Sequence, residues 1–334
     1  MNRAKKIKAN GSPRNAARVA LVALVALMTL PRQALAQSAA PAASSQAATS
    51  SKPSTTPQPG SNASVAAHAA QAQGAEQPGA RPGHRAVTPR ADSDTLVTIE
   101  KSGTLRVGVA LIIPWAMHDK DGELIGFEID VAKKLARDLG VKPEFYPTPL
   151  GELVPDLVAG KFDIIVSGLS ITAERALRVD FSNPYNETEV KLLASAKSPV
   201  VGAASLDAFN KDSVKIGVLE GSTAEDMAGV ILTNAQIIDY TDSGTAFNDL
   251  VEGKLDAAVA DSPRPEIVAQ LFPDKVKCLC DQPLSTYPAA FAVPRGDVEF
   301  VNYLNAWIAS RTSNKWLERK RDYWFKSTEW QSKL

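Results

Sequence analysis

The chain has 334 residues, with 37 Lys+Arg against 37 Asp+Glu, only two cysteines and only three histidines. So few thiols and imidazoles exclude a disulfide-stapled scaffold and leave too few ligands for the usual four-coordinate zinc site. The charge is uneven along the chain: the seven cations of residues 1–36 have no acid beside them, and without them 30 Lys+Arg stand against 37 Asp+Glu, a net of −7 that argues against nucleic acid as a partner.

In chain order, residues 1–18 hold Arg3, Lys5, Lys6, Lys8, Arg14 and Arg18, Val19 to Leu30 form a short apolar run, and Ala34-Leu35-Ala36 has the form of a cleavage site. This predicts a secretory signal peptide over 1–36. The run is shorter than the roughly 20 residues a membrane-spanning helix needs, and no cysteine precedes Cys278, so neither a span nor a lipid anchor is expected. Residues 37–93 are Ala, Pro, Ser, Gln and Gly with almost no large apolar side chains; they read as a disordered linker, unable to bury a core.

The remaining stretch of about 240 residues suits one large or two medium domains. Short β-branched runs predict strands over 105–110, 142–147, 162–166, 214–219, 236–240, 256–260 and 287–293. Apolar spacing of three to four residues between them predicts helices over 128–139, 150–159, 224–232, 245–252 and 264–271. This alternation is α/β. Strand 162–166, preceded by Ala-Gly-Lys-Phe-Asp, is echoed by strand 256–260, preceded by Glu-Gly-Lys-Leu-Asp, which implies two similar lobes. A helical segment, 298–324, follows the last strand and is expected to pack back on the first lobe. Cys278 and Cys280 lie in a strand-like segment. They are read as buried free thiols, because an i,i+2 disulfide is strained in an extended strand; a strained or intermolecular disulfide is the alternative in an oxidising compartment.

The stretch richest in chemistry is Ile164-Ile165-Val166-Ser167-Gly168-Leu169-Ser170-Ile171-Thr172-Ala173-Glu174-Arg175. An apolar strand runs through a small-residue loop into a helix start that carries an arginine. Free backbone N–H groups, hydroxyls and a guanidinium together make a carboxylate trap.

These residues, with Gly122-Glu-Leu-Ile-Gly-Phe-Glu-Ile-Asp-Val-Ala132, Phe181-Ser-Asn-Pro-Tyr185, Val218-Leu-Glu-Gly-Ser-Thr223 and Asp256-Ala-Ala-Val-Ala-Asp261, resemble the family 3 extracellular solute-binding proteins, amino-acid receptors of ABC importers in bacterial envelopes. The resemblance covers residues 94–325. It implies a periplasmic-binding-protein fold of type II: two α/β lobes joined by two crossover strands near 190–197 and 285–293, with the ligand held in the cleft by hinge closure. Lobe one is expected over 94–192 plus 292–334 and lobe two over 198–286. Arg175 matches the clamp on the ligand α-carboxylate, and Ser170 and Thr223 match donors to the same group. Asp261 matches the acid that takes the α-ammonium and Gly168 a carbonyl offered to it, while Trp115 and Leu150 match packing positions. An inner-membrane ABC permease is the implied partner of a soluble, monomeric, periplasmic protein without cofactor or metal.

The first loop, Val109-Ala110-Leu111-Ile112-Ile113-Pro114-Trp115, lacks the acid that many relatives carry, which disfavours a strongly cationic ligand side chain. Glu220 sits where relatives place a polar ligand contact, and Arg264 follows Asp261 by three; if both reach the cleft, the distal end of the ligand is polar or acidic. Asp261 has a second reading as the N-cap of the helix after Ser262-Pro263. A rival function is that of the cyclohexadienyl dehydratases, which share the fold and a similar ending from Val293-Pro-Arg-Gly-Asp through Trp307, Trp316 and Trp324. Their chemistry needs a general acid, and Arg264, at the position that counts, is always charged; Glu266 is on another helix phase. His118 is no partner for Ser167 or Ser170, lying in a different turn. A sensory receptor remains a third reading.

Overall fold

The computed structural model describes residues 95–203 and 205–334; the expected leader, 1–36, and linker, 37–93, lie outside the described residues. Lobe one opens with helix α1 (Thr95–Ser102), strand β1 (Thr104–Val109), a hairpin of β2 (Met117–His118) and β3 (Leu124–Ile125), helix α2 (Phe127–Leu139), β4 (Lys142–Pro147), α3 (Leu153–Val158), β5 (Ile164–Ile165), the single turn α4 (Ala173–Ala176) and β6 (Val179–Phe181). The long strand β7 (Asn186–Ser195) carries the chain into lobe two, built from β8 (Lys215–Leu219), α5 (Thr223–Ile231), β9 (Gln236–Tyr240), α6 (Ser243–Glu252), β10 (Ala257–Asp261), α7 (Arg264–Leu271) and β11 (Val276–Leu279). Strand β12 (Ser285–Ala289) returns it to lobe one for β13 (Ala292–Pro294), α8 (Val298–Ser313) and α9 (Trp316–Arg321).

The first sheet has the order β4-β1-β5-β13-β6 and the second β11-β7-β10-β8-β9, with β12 also paired to β7. Pairing is parallel where helices cross over, β1 with β4 and β5, and β8 with β9 and β10, as right-handed βαβ units require. The two crossover strands are bonded to each other, antiparallel from Asn186↔Ala289 to Val190↔Ser285. One apolar core lies around Val107, Phe127, Ile164 and Phe291 and also takes in Ile267 and Leu271 of α7 from lobe two, and a second lies around Leu192, Ile216, Val218 and Val259.

α2 shows why the local sequence folds as it does. Its apolar positions, Phe127, Ile129, Val131, Ala132, Leu135 and Ala136, recur at helical spacing and are all buried. Its outer face takes the tryptophans of the C-terminal segment: Trp307 Nε1 donates to Asp138 Oδ2 and Trp324 Nε1 to Asp130 Oδ2, both at 2.9 Å. The expected single helix over 298–324 is in fact interrupted. Lys315 is in the left-handed conformation, at φ 60°, and Asn314 Oδ1 accepts from Trp316 N at 3.0 Å, so an asparagine turn ends α8 and starts α9.

The cysteines also need correcting. Cys278 and Cys280 form a disulfide, with Cα atoms 5.1 Å apart, and are half-buried. Two steps of fully extended strand span about 6.6 Å, at the upper edge of the ordinary disulfide range; β11 ends at Leu279, so Cys280 lies just past the strand, and the 5.1 Å separation falls inside that range. The loop that holds Cys280 separates β11 from β12, both of which pair with β7.

Candidate functional site

The cleft is built at the strand ends. After β5 the chain enters the small-residue loop, which is stitched down at several points. Ser167 Oγ accepts from Ala110 N at 2.9 Å, so this serine ties the ends of β1 and β5 together. Ser170 makes an antiparallel bridge to Ala289, with Ile171 N donating to the Pro288 carbonyl and Ala290 N to the Leu169 carbonyl. Gly168 has φ +60°, and a Cβ there would fall 3.1 Å from the Trp115 ring. Only glycine meets both conditions. Thr172 caps α4 by accepting from Arg175 N at 3.2 Å.

Arg175 reaches across the molecule. Its Nη1 donates to the Ser170 carbonyl at 2.7 Å, within lobe one, and its Nη2 to the Gly221 carbonyl at 2.8 Å, in lobe two. Burial lowers the pKa of the guanidinium, opposed by Asp226, Asp261 and Glu174. From lobe two, Ser222 caps α5 by accepting from Glu225 N, and this presents the next residue: Thr223 Oγ1 lies 3.3 Å from Ser170 Oγ. Asp261 ends β10. It does not cap α7, whose N-cap is Pro263 with no side-chain bond. Asp261 Oδ1 is sealed from solvent without a hydrogen-bond partner; burial raises the pKa of the carboxyl to about 6, with Arg175 opposing.

Ser170, Gly168, Arg175, Thr223, Asp261, Trp115 and Leu150 line one cavity of about 30 Å³ between the lobes. Thr188 joins them, its Oγ1 also buried and unpartnered. Thr188 escaped the sequence reading, although Asn186, Thr188 and Val190 alternate with Glu187 and Glu189 as a strand should. Glu220 is not in this cavity. It is exposed on an outer groove of about 410 Å³ that also takes in Arg175, Arg178, Gly151 and Gly221. Arg264 is not in the cavity either: it is 4% exposed, lies over the Phe247 ring and donates to the Ile113 carbonyl at 3.5 Å. Burial lowers its pKa to about 10, opposed by Asp242. Glu266 Oε1 is occupied by Lys191 and Ser262.

Behind the loop sits a buried pair that sequence reasoning missed. Tyr185 donates to Glu128 Oε2 at 2.7 Å and accepts from Gly168 N at 3.4 Å, although both residues lie inside quoted motifs. Burial raises the Glu128 carboxyl to about 8, opposed by bonds from Tyr185 and the Gly168 backbone. The unfolded chain therefore loses this proton first, and ligand-free stability declines as pH climbs from about 4.5 towards 8. Glu128→Gln keeps an acceptor for Tyr185 and is expected to remove much of that decline, roughly 3–5 kcal/mol for a shift of this size, in thermal unfolding measured from pH 5 to 9.

Among the described residues no group of three or more His, Cys, Asp or Glu is placed to hold a metal, and no helix is long and apolar enough to cross a membrane.

Comparison with known proteins gives a consistent picture. The model of the bacterial extracellular solute-binding proteins, family 3, matches residues 105–327. The cyclohexadienyl dehydratase of Pseudomonas aeruginosa is 29% identical over 242 residues, covering 70% of this chain and 87% of that protein. The L-arginine-binding protein of the same organism is 32% identical over 243 residues, covering 69% and 91%. Among solved structures, an ancestral amino acid-binding protein described as a precursor of cyclohexadienyl dehydratase is 38% identical, with a TM-score of 0.65, covering 69% of this chain and 99% of that one.

Proposed function

The chain belongs to the bacterial extracellular solute-binding proteins of family 3, and on that premise we propose that it is a periplasmic receptor that delivers an α-amino acid to an ABC permease of the inner membrane. One observation carries the reading. The buried Asp261 Oδ1 and Thr188 Oγ1, both without partners, face the same cavity as Arg175, and an α-ammonium and an α-carboxylate on one carbon satisfy these groups together.

In this reading Arg175, Ser170 and Thr223 hold the carboxylate, while Asp261, the Gly168 carbonyl and Thr188 hold the ammonium. The moving bodies are 94–192 plus 292–334 and 198–286. Each lobe alone supplies half of the site, so the ligand favours the closed arrangement by its differential affinity for that state. A binding role is also favoured over dehydration by the residues near Asp261: Arg264 cannot donate a proton at neutral pH, and Glu266 is held by Lys191 and Ser262.

The test is a thermal-shift screen of unfolded and refolded protein against the twenty amino acids, arogenate and prephenate. A ligand at a hundredfold excess over Kd raises stability by about 2.7 kcal/mol. Turnover of arogenate or prephenate, or no shift with any amino acid, overturns the proposal.

The proposed closure makes a steric prediction of its own. Gly221, at φ +72°, meets Gly151 of the other lobe so closely that a Cβ would fall 2.5 Å from Gly151 Cα, whereas a Cβ on Gly151 has nothing nearer than 3.7 Å. Gly221→Ala is expected to weaken ligand binding by roughly 5- to 150-fold, the affinity equivalent of an overpacking cost of about 1–3 kcal/mol. Gly151→Ala is expected to change it little. Isothermal titration of both variants checks the contrast.

A further inference from the structure

Resting on the amino-acid reading, we infer that the ligand side chain is uncharged and apolar. Arg175, Ser170, Thr223, Asp261 and Thr188 are consumed by the two ends of the zwitterion, Ser167 Oγ already accepts from Ala110 N, and the side chains that remain are Ile112, Trp115, Leu150 and Leu169. Asp261 is the only acid and Arg175 the only base that line it, so a third charge entering here is desolvated without a counterion, which is strongly unfavourable.

The wall is firm as well as apolar. Trp115 is 5% exposed and pinned against Phe127 and Phe325, with ring centroids 6.0 and 4.5 Å away.

Two spaces adjoin the cavity, and the one that shares Arg175 and Leu150 with it, beside the carboxylate clamp, is the charged outer groove of Glu220, Glu225 and Asp226. The other shares Ile112 and Leu150 and is a groove of about 220 Å³ in which Ala110, Leu111, Pro149 and Leu219 are joined by the neutral hydroxyls of Thr148, Thr241 and Ser243. In this inference a side chain too long for the inner cavity extends towards that second groove past Ile112 and Leu150, the two residues that cavity and groove share. The one charged residue lining the second groove is Asp242, and both carboxylate oxygens of Asp242 are engaged, Oδ1 by Thr245 N at 2.8 Å and Oδ2 by Thr245 Oγ1 at 2.7 Å. The two groups that were candidates for a polar distal site, Glu220 and Arg264, line neither the cavity nor this second groove.

The test is isothermal titration of refolded full-length mature protein with L-alanine, L-valine, L-leucine, L-methionine and L-phenylalanine against L-arginine, L-lysine, L-aspartate and L-glutamate. At least one apolar amino acid is expected to bind at least about tenfold more tightly than every charged one. Leu150→Asp, at a half-buried position, is expected to shift the ratio of lysine to leucine affinity towards lysine by about tenfold or more; Ile112→Asp repeats the test should the first variant fail to fold, as judged by circular dichroism. A charged amino acid as the tightest ligand overturns this inference and leaves the receptor reading standing, as does an unchanged ratio in a folded variant. Binding of none of the nine, with none of the twenty shifting stability either, overturns the receptor reading and this inference with it.

Discussion

Arg175→Ala is expected to weaken amino-acid binding by roughly a hundredfold or more, measured by isothermal titration of the refolded protein. A guanidinium has five N–H donors, and two of the hydrogen bonds of Arg175 go to the Ser170 and Gly221 carbonyls. These bonds fix the plane of the group and leave other donors for an incoming carboxylate. Removing one partner of a buried charged pair costs about 3–5 kcal/mol, which is the origin of the magnitude. The arginine has a second effect, because its bond to Gly221 joins the lobes. Arg175→Lys, which keeps the charge but not the planar fork, is therefore expected to fall between wild type and alanine. Wild-type affinity in Arg175→Ala would sink the assignment of this residue.

Asp261→Asn is expected to abolish binding at ordinary ligand concentrations and yet to stabilise the ligand-free protein near neutral pH. The folded-state pKa of about 6 stands above the unfolded value of about 3.9. The unfolded chain loses its proton first as pH rises, so the penalty on the folded state grows between about pH 4 and 6 and is complete above that. For a shift of about two units on a half-buried residue it amounts to about 1–3 kcal/mol. Ligand-free wild type is then less stable at pH 7.5 than at pH 5, and the asparagine variant loses this part of the slope, with the Glu128 contribution still present. The affinity of wild type for its ligand falls below about pH 6, where Asp261 takes up a proton and no longer offers a full negative charge. An unchanged thermal midpoint in Asp261→Asn at pH 7.5, with binding intact, would contradict both halves of the prediction.

The parts legible in the sequence were those with one dominant local signal. Apolar spacing in Phe127–Leu139 and β-branched runs such as Lys215–Leu219 became a buried-face helix and a strand, because the pattern that drives burial is also the pattern that can be read. The residues singled out around the small-residue loop do converge, Ser170 and Thr223 to 3.3 Å, since strand ends fix where loops begin. What could not be read depended on partners far away in sequence. The bonds of Arg175 to carbonyls of both lobes, the location of Glu220 on an outer groove and the Glu128–Tyr185 pair, 57 residues apart, all arise from tertiary packing. β7 was obscure for a different reason: its first half is polar in composition, and only the alternation of buried Thr188 with exposed Glu187 gives it away. The Cys278–Cys280 pairing was invisible because Cys280 lies one residue past the end of β11, where the strand geometry used to argue against it no longer applies.

The placement of β13 governs the order in which the molecule can be made. This strand comes from residues 292–294, yet it lies between β5 and β6, which precede it by more than a hundred residues. Until it arrives, the first sheet is open in the middle, and Phe291 and Val293 are missing from its core. Lobe two has no such debt beyond its two neighbouring connections, since β7 through β11 follow one another along the chain. A chain emerging from its N-terminus therefore assembles the internal lobe first and seals the outer one last, against the usual N-terminal-first order of multidomain proteins. The long loops closed by β13 and α8 raise the contact order of lobe one and slow its formation relative to that of lobe two.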